Sequence, residues 1–356
     1  MKIQHIELNE LGWSTWFEKQ AQCGASDTIA RVAAVDRDQL LLMDHAGSFR
    51  ARLAGSFMYH HHGSEELPCV GDWVCVERHA GDDYGMIHAL IERRTSLRRK
   101  SAGNATEFQM IAANVDYVII VQSCHFDFNL KRLERYLVMV SEGGAEPYIL
   151  LTKTDLVEAA MLEYQMATIR SAGIAVPIST LSNVTQQGID DVRQLLQPGK
   201  TYCFVGSSGV GKSTLINTLI GKDLQETKTV SHTGEGRHTT VRRELLLLKG
   251  GALVIDNPGM REFGIVDADS GIDASFADIT RLAAGCRYRD CRHTNEPHCA
   301  VTAAVESGDI SQQHYENYIK LTEESAFYEL SYAQRRKKDH DFGKYIKSAK
   351  KDLKEH

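Results

Sequence analysis

The segment Gly206 to Thr214 reads GSSGVGKST and fits the phosphate-binding pattern G-x-x-x-x-G-K-[ST]. The apolar run TYCFV precedes it, and the helix-like run TLINTLI follows. In such a loop the glycines let backbone N–H groups point inward, and the helix N-terminus adds positive potential. Lys212 is expected to bind the β and γ phosphates, and Ser213 to offer an oxygen to Mg²⁺. The predicted phosphate site comprises Gly206, Ser207, Ser208, Gly209, Val210, Gly211, Lys212, Ser213 and Thr214. The alternative is a glycine-rich turn before an ordinary helix.

A second acidic position follows about forty residues later, where Asp256 ends the apolar run ALVI and precedes Asn-Pro-Gly. P-loop enzymes place a magnesium-binding aspartate at such a strand end, and Gly259 would lie in the turn that senses the γ-phosphate. Asp-Asn-Pro-Gly is also a good turn sequence in its own right. The intervening SHTGEGRHTTVRRE has the composition of a mobile switch loop. Within it Thr240, or failing that Thr239, is the expected second hydroxyl ligand of Mg²⁺; the alternative is an exposed loop threonine.

Base selection is expected from Thr152-Lys153-Thr154-Asp155, which follows the apolar run YILL. An aspartate carboxylate there accepts hydrogen bonds from guanine N1 and N2, and the lysine stem packs along the base. The tetrapeptide is similar to the [NT]KxD element of GTPases, with Thr152 where Asn is usual. Ser179, after IAVPI, is the expected small residue that supports the base, or else a simple turn serine.

The order of these elements is unusual, because the guanine element precedes the phosphate loop by about fifty residues. Ordinary GTPases run from phosphate loop to switches to guanine element. We therefore expect a circularly permuted domain, in which the switch loops lie directly before the C-terminal region.

The position after Asp-Asn-Pro-Gly is Met260, where Ras-like enzymes carry a glutamine that positions water. A thioether cannot orient water. We therefore hypothesise that the protein alone hydrolyses nucleotide slowly and needs an activating surface. His238 is the candidate residue for positioning water. The predicted catalytic residues are His238, Lys212 and Thr240.

Three thiols and an imidazole fall within fourteen residues, as Cys286-x4-Cys291-x-His293-x5-Cys299. Four such ligands fit a tetrahedral structural Zn²⁺ with no open position for catalysis. His298 could replace His293, but it adjoins Cys299 and would strain the chelate. The alternative is a set of free buried cysteines. The other five cysteines, Cys23, Cys69, Cys75, Cys124 and Cys203, are scattered singly and are expected to be reduced, buried thiols.

The composition of the 356 residues is that of an ordinary globular protein, with 42% hydrophobic and 25% charged residues. A net charge of −6 argues against a protein that coats nucleic acid through its overall field, so RNA contact must come from local patches. The start MKIQHIELNE has no secretory pattern, and no run of about 18 apolar residues occurs. These features predict a soluble cytoplasmic protein.

Residues 29 to 91 contain five short strand-like runs, which predict a small β-barrel. An OB-type barrel, which often binds oligonucleotides, and an SH3-like barrel give nearly the same pattern. The arm before it carries Trp13, Trp16 and Phe17, whose rings are expected to pack on a domain or else to stack on bases.

From Asn114 strands alternate with helices, which predicts a parallel α/β sheet, and after about Ser275 the chain reads as helical. The charged tail carries Arg335, Arg336, Lys337 and Lys338. These residues indicate either a solvated helix or a contact with RNA phosphates. The predicted boundaries are an arm at 1–28, a barrel at 29–100, a permuted nucleotide-binding domain at 101–275 and a zinc-binding helical domain at 276–356.

Taken together, TKTD before GSSGVGKST, then GRHTT, DNPGMREFG and CRYRDCRHTNEPHCAV, closely resemble the bacterial family of small-subunit-dependent GTPases known as RsgA. The similarity covers nearly the whole chain, and the permuted order between a barrel and a Cys3His unit is specific to that family. The resemblance implies an OB domain, a permuted GTPase with Mg²⁺ and GTP, and a zinc domain, acting as a monomer on the small (30S) ribosomal subunit and its 16S rRNA in late maturation. It also implies that the subunit stimulates hydrolysis, and that His238 matches a switch histidine of the family.

Two further functions remain open from the sequence. One is an rRNA-binding module whose nucleotide site is mainly regulatory, as Met260 and the flanking units would suggest. The other is a P-loop ATPase or small-molecule kinase, which would make the match of Thr152 to Asp155 a coincidence. Multiple turnover lost in Lys212→Ala would exclude the first, and competition by GTP but not ATP would exclude the second.

Overall fold

The structure is a computed structural model, and it describes residues 7–36, 39–60, 65–79, 84–100, 108–221, 243–256 and 269–329. The chain divides into two compact units, Met1–Phe263 and Gly264–His356. The division precedes the helix Asp269–Ser275, so this helix groups with the C-terminal unit and not with the nucleotide-binding region that the sequence suggested.

Five strands of the first unit close into a barrel: β1 (Asp27–Val35), β2 (Leu40–Asp44), β3 (Gly47–Leu53), β4 (Trp73–Glu77) and β5 (Gly85–Leu90). The order is β1-β2-β3-β5-β4, and β4 pairs back onto β1. Only the β3–β5 pair is parallel. A short helix, α2 (Gly55–His60), follows β3. This closed five-stranded order is that of the OB type, the first of the two predicted barrels.

The barrel is filled by side chains that alternate along its strands, as the period of two in a strand requires. Val32, Leu42, Val74 and Ile87 are fully buried there. In β2, burial alternates from Leu40 to Asp44 between buried and half-buried positions. The apolar alternation in the sequence was therefore sufficient to locate these strands to within about two residues.

The N-terminal arm contains helix α1 (Thr15–Gln20) and packs on the barrel through aromatic rings. The Trp13 ring meets the Trp73 ring edge-on at 4.8 Å between centroids, and Phe17 is 1% exposed. Packing on a domain, the first of the two expectations for these aromatics, is the one found. The arm also carries a correction: Cys23 and Cys75 form a disulfide, although both were expected to be single reduced thiols. The chain after α1 lies against β4, which brings the two sulfurs together.

An antiparallel hairpin that the sequence did not suggest lies between the barrel and the next domain. It consists of β6 (Ser96–Lys100) and β7 (Phe108–Ala113), which form a separate two-stranded sheet. Leu97 in β6 and Ile111 in β7 are fully buried. The hairpin is thus part of the core of the first unit.

The nucleotide-binding region is built on six strands in the order β10-β9-β8-β11-β13-β12. The strands are β8 (Tyr117–Ser123), β9 (Glu146–Thr152), β10 (Ile178–Leu181), β11 (Thr201–Val205), β12 (Glu244–Leu247) and β13 (Leu253–Asp256). All are parallel to their neighbours except β12, which is antiparallel to β13. The predicted parallel α/β sheet is confirmed.

Four helices connect these strands: α3 (Leu130–Glu142), α4 (Ala159–Ser171), α5 (Ile189–Leu195) and α6 (Lys212–Ile220). Helix α3 begins where the Asn129 side chain accepts from Arg132 N, a regular N-cap. Its buried face includes Leu133 and Tyr136, which pack into the same core as Ile120 of β8. The sheet is therefore covered by helices, as a parallel sheet requires.

The barrel and the nucleotide sheet are joined, because β12 also pairs with β1, where Ala34 lies opposite Glu244. Arg31, 1% exposed, reinforces the junction: its guanidinium donates to the carbonyl oxygens of Leu11, Gly71 and Asn114. Burial lowers the pKa of Arg31 to about 10, opposed by the charges of Asp116 and Asp72. One side chain thus connects the arm, the barrel and the strand that precedes β8.

The second unit is helical, with α7 (Asp269–Ser275), α8 (Ala277–Ala283), α9 (Ala300–Ser307) and α10 (Gln312–Glu329). His314, 2% exposed, stacks on Phe276 and lies 3.2 Å from the carboxylate of Asp278. Burial opposes ionisation of Asp278, but its hydrogen bond with His314 outweighs this and lowers its pKa.

Among the helices in the described ranges, none combines the length and apolar character needed to cross a membrane.

Candidate functional site

The carboxyl ends of β8, β9, β10, β11 and β13 meet at one edge of the sheet, because these strands run parallel. The loop from Gly206 to Gly211 connects β11 to α6 at this edge. Thr152 ends β9 and Asp256 ends β13. The fold therefore brings the predicted phosphate, guanine and magnesium residues to a common edge, as expected for ligand sites in open α/β sheets.

Two glycines of the phosphate loop have backbone conformations that strongly disfavour other residues. Gly206 has φ +141°, and a Cβ there would lie 2.2 Å from the carbonyl oxygen of Val121. Gly211 has φ +102° at the N-terminus of α6, and a Cβ there would lie 2.8 Å from Nδ2 of Asn183. The left-handed backbone and the close neighbours both require glycine. The sequence pattern thus has a steric basis in this fold.

Lys212 is folded into the loop that precedes it. Its Nζ donates to the carbonyl oxygens of Gly206 and Ser207, each at 2.6 Å, and the residue is 7% exposed. Burial lowers the pKa of Lys212, while the negative charges of Asp256 and Asp127 oppose that change. Burial in turn raises the pKa of Asp256, and the charge of Lys212 opposes it. Opposite charges therefore face each other where phosphate and a divalent cation would bind.

Thr152 ties the guanine element to the phosphate loop. Its buried hydroxyl lies 2.6 Å from the carbonyl oxygen of Val210 and 3.2 Å from that of Gln122. Both neighbours are acceptors, so the hydroxyl donates to the chain 58 residues away in sequence. The usual Asn is absent, yet a side-chain link between the two elements is retained.

Asp155, predicted to read the base, is exposed in the short 3₁₀ turn Thr154–Leu156, and Lys153 before it has φ +60°. The hydroxyl of Ser182 donates to Oδ1 of Asp155 at 2.5 Å. The Oγ of Ser182 in turn accepts from the backbone N–H groups of Val184 and Thr185, each at 3.1 Å. Ser182 therefore holds the aspartate carboxylate in place.

Ser179, the small residue expected to support the base, contacts the neighbouring strand β9 through its side chain. Its hydroxyl lies 2.5 Å from that of Tyr148. Ser179 is inside β10, whereas Ser182 follows the carboxyl end of that strand and so lies at the edge where the site forms. The sequence signal that would have found Ser182 is its position directly after the strand, in LSNVTQQG.

The remaining predicted site residues lie outside the described residues. These are His238, Thr239, Thr240, Gly259 and Met260.

The second unit brings four metal-ligating side chains together: Cys286, Cys291, His293 and Cys299. Their ligand atoms all lie within 4.8 Å of one another. The sulfurs of Cys286 and Cys299 are 3.8 Å apart, and each lies 3.5 Å from Nδ1 of His293. A tetrahedral ion about 2.3 Å from each sulfur separates its ligand atoms by about 3.8 Å. The four side chains therefore fit a metal ion, and His293, not the exposed His298, completes the set.

Neighbouring groups orient these ligands. The Tyr315 hydroxyl donates to the carbonyl oxygen of His293 at 2.6 Å, and Thr302 N donates to the sulfur of Cys299 at 3.5 Å. Burial raises the pKa of Cys299, but the hydrogen bonds from Thr302 and His293 outweigh it and lower the pKa to about 6. This favours the thiolate, which is the form that binds metals.

Comparisons with known proteins agree with this geometry. The family model described as RsgA GTPase matches residues 90–266. The chain is 41% identical over 322 residues to "Small ribosomal subunit biogenesis GTPase RsgA 1" of Listeria monocytogenes, covering 90% of each chain. It is 37% identical over 348 residues to the Vibrio parahaemolyticus protein "Small ribosomal subunit biogenesis GTPase RsgA 2", covering 97% of this chain and 93% of that protein.

Two solved structures have the same fold. YjeQ from Thermotoga maritima superposes with a TM-score of 0.62 at 24% identity, covering 83% of this chain and 97% of that one. YloQ, described as a circularly permuted GTPase, gives a TM-score of 0.60 at 26% identity, covering 85% and 97%. With 41% identity across nine-tenths of the chain, and with the permuted order now placed on one sheet edge, the protein belongs to the RsgA family of GTPases.

Proposed function

We propose that this GTPase hydrolyses GTP to GDP and phosphate on the small ribosomal subunit during late maturation of that subunit. The observation that carries the nucleotide assignment is the Thr152 hydroxyl bonded to Val210, which joins a guanine element to a phosphate loop. The printed names of the relatives support the ribosomal part. Action on the subunit makes this a cytoplasmic protein, and we propose that it acts as a monomer.

In this proposal Asp155 accepts from guanine N1 and N2, and the Lys153 stem covers the base. Lys212 exchanges its two carbonyl acceptors for the β and γ phosphate oxygens, while backbone N–H groups of the loop bind the same anion. Burial lowers the pKa of Lys212, and the nearby charge of Asp256 opposes that change, which favours the charged form that binds phosphate.

Mg²⁺ would be held by Ser213 and Asp256, with Thr240 added when triphosphate is bound. The exposed Ser213 at the start of α6 and the carboxylate at the end of β13 supply the hard oxygen ligands that this ion prefers. The ion would neutralise charge on the β and γ phosphates.

Hydrolysis is proposed to be slow on the free protein, since Met260 cannot orient water, and to accelerate on the subunit with His238 positioning water. Single-turnover hydrolysis by His238→Ala, with and without small subunits, checks this role. We expect the stimulated rate to fall roughly 100-fold, as for loss of a general-base group. An unchanged stimulated rate would remove His238 from the mechanism.

The flanking units are proposed to bind rRNA. The OB-type barrel is a fold that binds oligonucleotides, and the basic residues Arg335 to Lys338 offer phosphate contacts. The Cys3His cluster is proposed to hold one structural Zn²⁺, since three thiolates and one imidazole suit this ion.

Co-sedimentation tests the choice of partner. The full chain is centrifuged with purified small or large ribosomal subunits, in the presence of GDP or a non-hydrolysable GTP analogue. We expect it to sediment with the small subunit and the GTP analogue, and to remain in the supernatant with the large subunit. Equal binding to both subunits would contradict a specific role on the small one.

A further inference from the structure

Arg243 lies at the end of the predicted switch loop and directly precedes β12. Its side chain crosses to the hairpin β6–β7, where Nη1 donates to the carbonyl oxygen of Met110 at 2.9 Å. Met110 is 7% exposed and packs with Cys69. The start of β12 is therefore bonded to a part of the chain 133 residues earlier.

The half-buried guanidinium of Arg243 lies between the hairpin and the nucleotide sheet. Burial lowers the pKa of Arg243, and the positive charge of Arg99 lowers it further. The thiols of Cys69 and of Cys203 in β11 are close enough to oppose that change. An apolar side chain would avoid the cost of burying a charge. What the charged side chain supplies in return is the bond to Met110.

Asp256, the carboxylate proposed to bind Mg²⁺, depends on β12 for its position. In the described sheet, the pairing of β13 with β11 ends at Ile255, one residue before Asp256. On the other side Asp256 lies opposite Glu244, the residue that follows Arg243. Glu244 also lies opposite Ala34 of β1. The backbone of Asp256 is thus held from the side of β12, where Arg243 anchors that strand.

We infer that Arg243 is a positioning residue for GTP hydrolysis, which holds the start of β12 on the hairpin and thereby places the Asp256 carboxylate for Mg²⁺. The inference rests on the proposed magnesium site. Loss of the bond to Met110 would let this end of β12 shift, and Mg²⁺ would bind less tightly. The phosphate loop follows β11 and not β12, so nucleotide binding without Mg²⁺ should not depend on Arg243.

The test compares three substitutions in the full chain. Arg243→Met removes the donors and keeps a long side chain, whereas Arg243→Lys keeps a donor for the single carbonyl acceptor. Arg99→Met is the control, since it removes a neighbouring arginine whose side chain bonds to Gln109. For each protein, GTP hydrolysis without ribosomal subunits is measured against the concentration of free Mg²⁺. The dissociation constant of GDP is measured in EDTA.

In Arg243→Met, the Mg²⁺ concentration for half-maximal hydrolysis should rise roughly three- to tenfold, as for the loss of one hydrogen bond. GDP binding in EDTA should match that of the wild type, which also shows that the nucleotide site is folded. Arg243→Lys should require less Mg²⁺ than Arg243→Met, and Arg99→Met should behave as the wild type does.

Three results would overturn the inference. An unchanged Mg²⁺ dependence in Arg243→Met would leave the bond to Met110 with no part in hydrolysis. GDP binding in EDTA that weakens by the same factor would make Arg243 a merely structural residue. Equal defects in Arg243→Met and Arg99→Met would assign the effect to the charge of this region. If wild-type hydrolysis did not require Mg²⁺, the proposed magnesium site itself would fail, a result distinct from the other three.

Discussion

Ser182 and Thr152 show how single donor protons organise the pocket. Each hydroxyl has one proton, and the neighbouring acceptors determine its direction: the Asp155 carboxylate for Ser182 and the Val210 carbonyl for Thr152. The first bond orients a group that would meet the base, and the second fixes the loop that would meet the phosphates. In the proposed site, base and phosphate recognition would thus be linked through two small residues.

Substituting Ser182 with Ala should weaken GDP binding about tenfold, because Asp155 loses the hydroxyl that holds it. The matched change Ser179→Ala lies three residues away in the same segment and removes only the contact with Tyr148. It should leave the dissociation constant of GDP nearly unchanged. Titration of labelled GDP against both variants checks this, and a larger effect from Ser179→Ala would contradict the assignment.

Thr152→Val should cost roughly 1–3 kcal/mol in the free energy of unfolding, because the buried carbonyl oxygen of Val210 loses its donor. GDP binding should weaken as well, since the phosphate loop loses its link to β9. Thr152→Ser keeps the hydroxyl and serves as control. Urea denaturation followed by circular dichroism measures the loss, and identical stabilities of the Val and Ser variants would be inconsistent with it.

For single residues, the sequence predicted most of the candidate site residues but did not locate all of them. The glycine and lysine pattern placed the phosphate loop because the backbone geometry at Gly206 and Gly211 admits little else. Ser182 was not identified because the end of β10 cannot be read from a short polar run. The hydrogen bond from Thr152 to Val210 spans 58 residues, which no local pattern contains.

Within the described part of the chain, the Cys3His cluster is the element that we expect metal ligation to stabilise. The segment between α8 and α9 holds all four ligands and, apart from them, few buried side chains. A metal ion would therefore supply much of the energy that folds this segment, as it does in small structural zinc domains.

Removing the metal should unfold part of the second unit. We expect about one Zn²⁺ per chain, and a loss of helical circular dichroism on chelation that zinc reverses. Cys286→Ser should lower the zinc content, whereas Cys124→Ser, which changes a buried cysteine outside the cluster, should not. Elemental analysis of both variants measures this. Full zinc content in Cys286→Ser would show that the cluster is not the binding site.

The strands of the barrel could be predicted from their alternating apolar pattern, and those of the nucleotide sheet from continuous apolar runs that are buried on both faces. The hairpin β6–β7 could not, since SLRRK is mostly polar and, of the side chains described from Ser96 to Arg99, Leu97 alone is buried. Its strands are stabilised by packing against distant parts of the core. The Cys23–Cys75 disulfide was also missed, because sequence does not reveal which cysteines lie close together in the fold.

For the first unit as a whole, the shared sheet matters most. Strand β12 follows the predicted switch loop and pairs with both β13 of the nucleotide sheet and β1 of the barrel. Arg31 adds three hydrogen bonds to carbonyls of the arm, the barrel and the chain before β8. Barrel and nucleotide domain should therefore behave as one cooperative unit.

Unfolding of this unit should be a single transition. All three tryptophans, Trp13, Trp16 and Trp73, lie in the arm and barrel, so their fluorescence reports on that part, while bound fluorescent GDP reports on the other. The two signals should change together in urea. Arg31→Met should lower the free energy of unfolding by about 3 kcal/mol, since three buried hydrogen bonds are lost and only the Gly71 carbonyl keeps another donor, Nδ2 of Asn114. The exposed Arg50→Met should have little effect, and separate transitions in the wild type would contradict the single unit.

The central claim, that this permuted GTPase acts on the small ribosomal subunit, is tested most directly by steady-state GTP hydrolysis with and without purified small subunits. We expect a slow rate for the free protein, a rise of at least tenfold with small subunits, and no stimulated turnover in Lys212→Ala. A rate that small subunits leave unchanged, or one that large subunits stimulate equally, would contradict it.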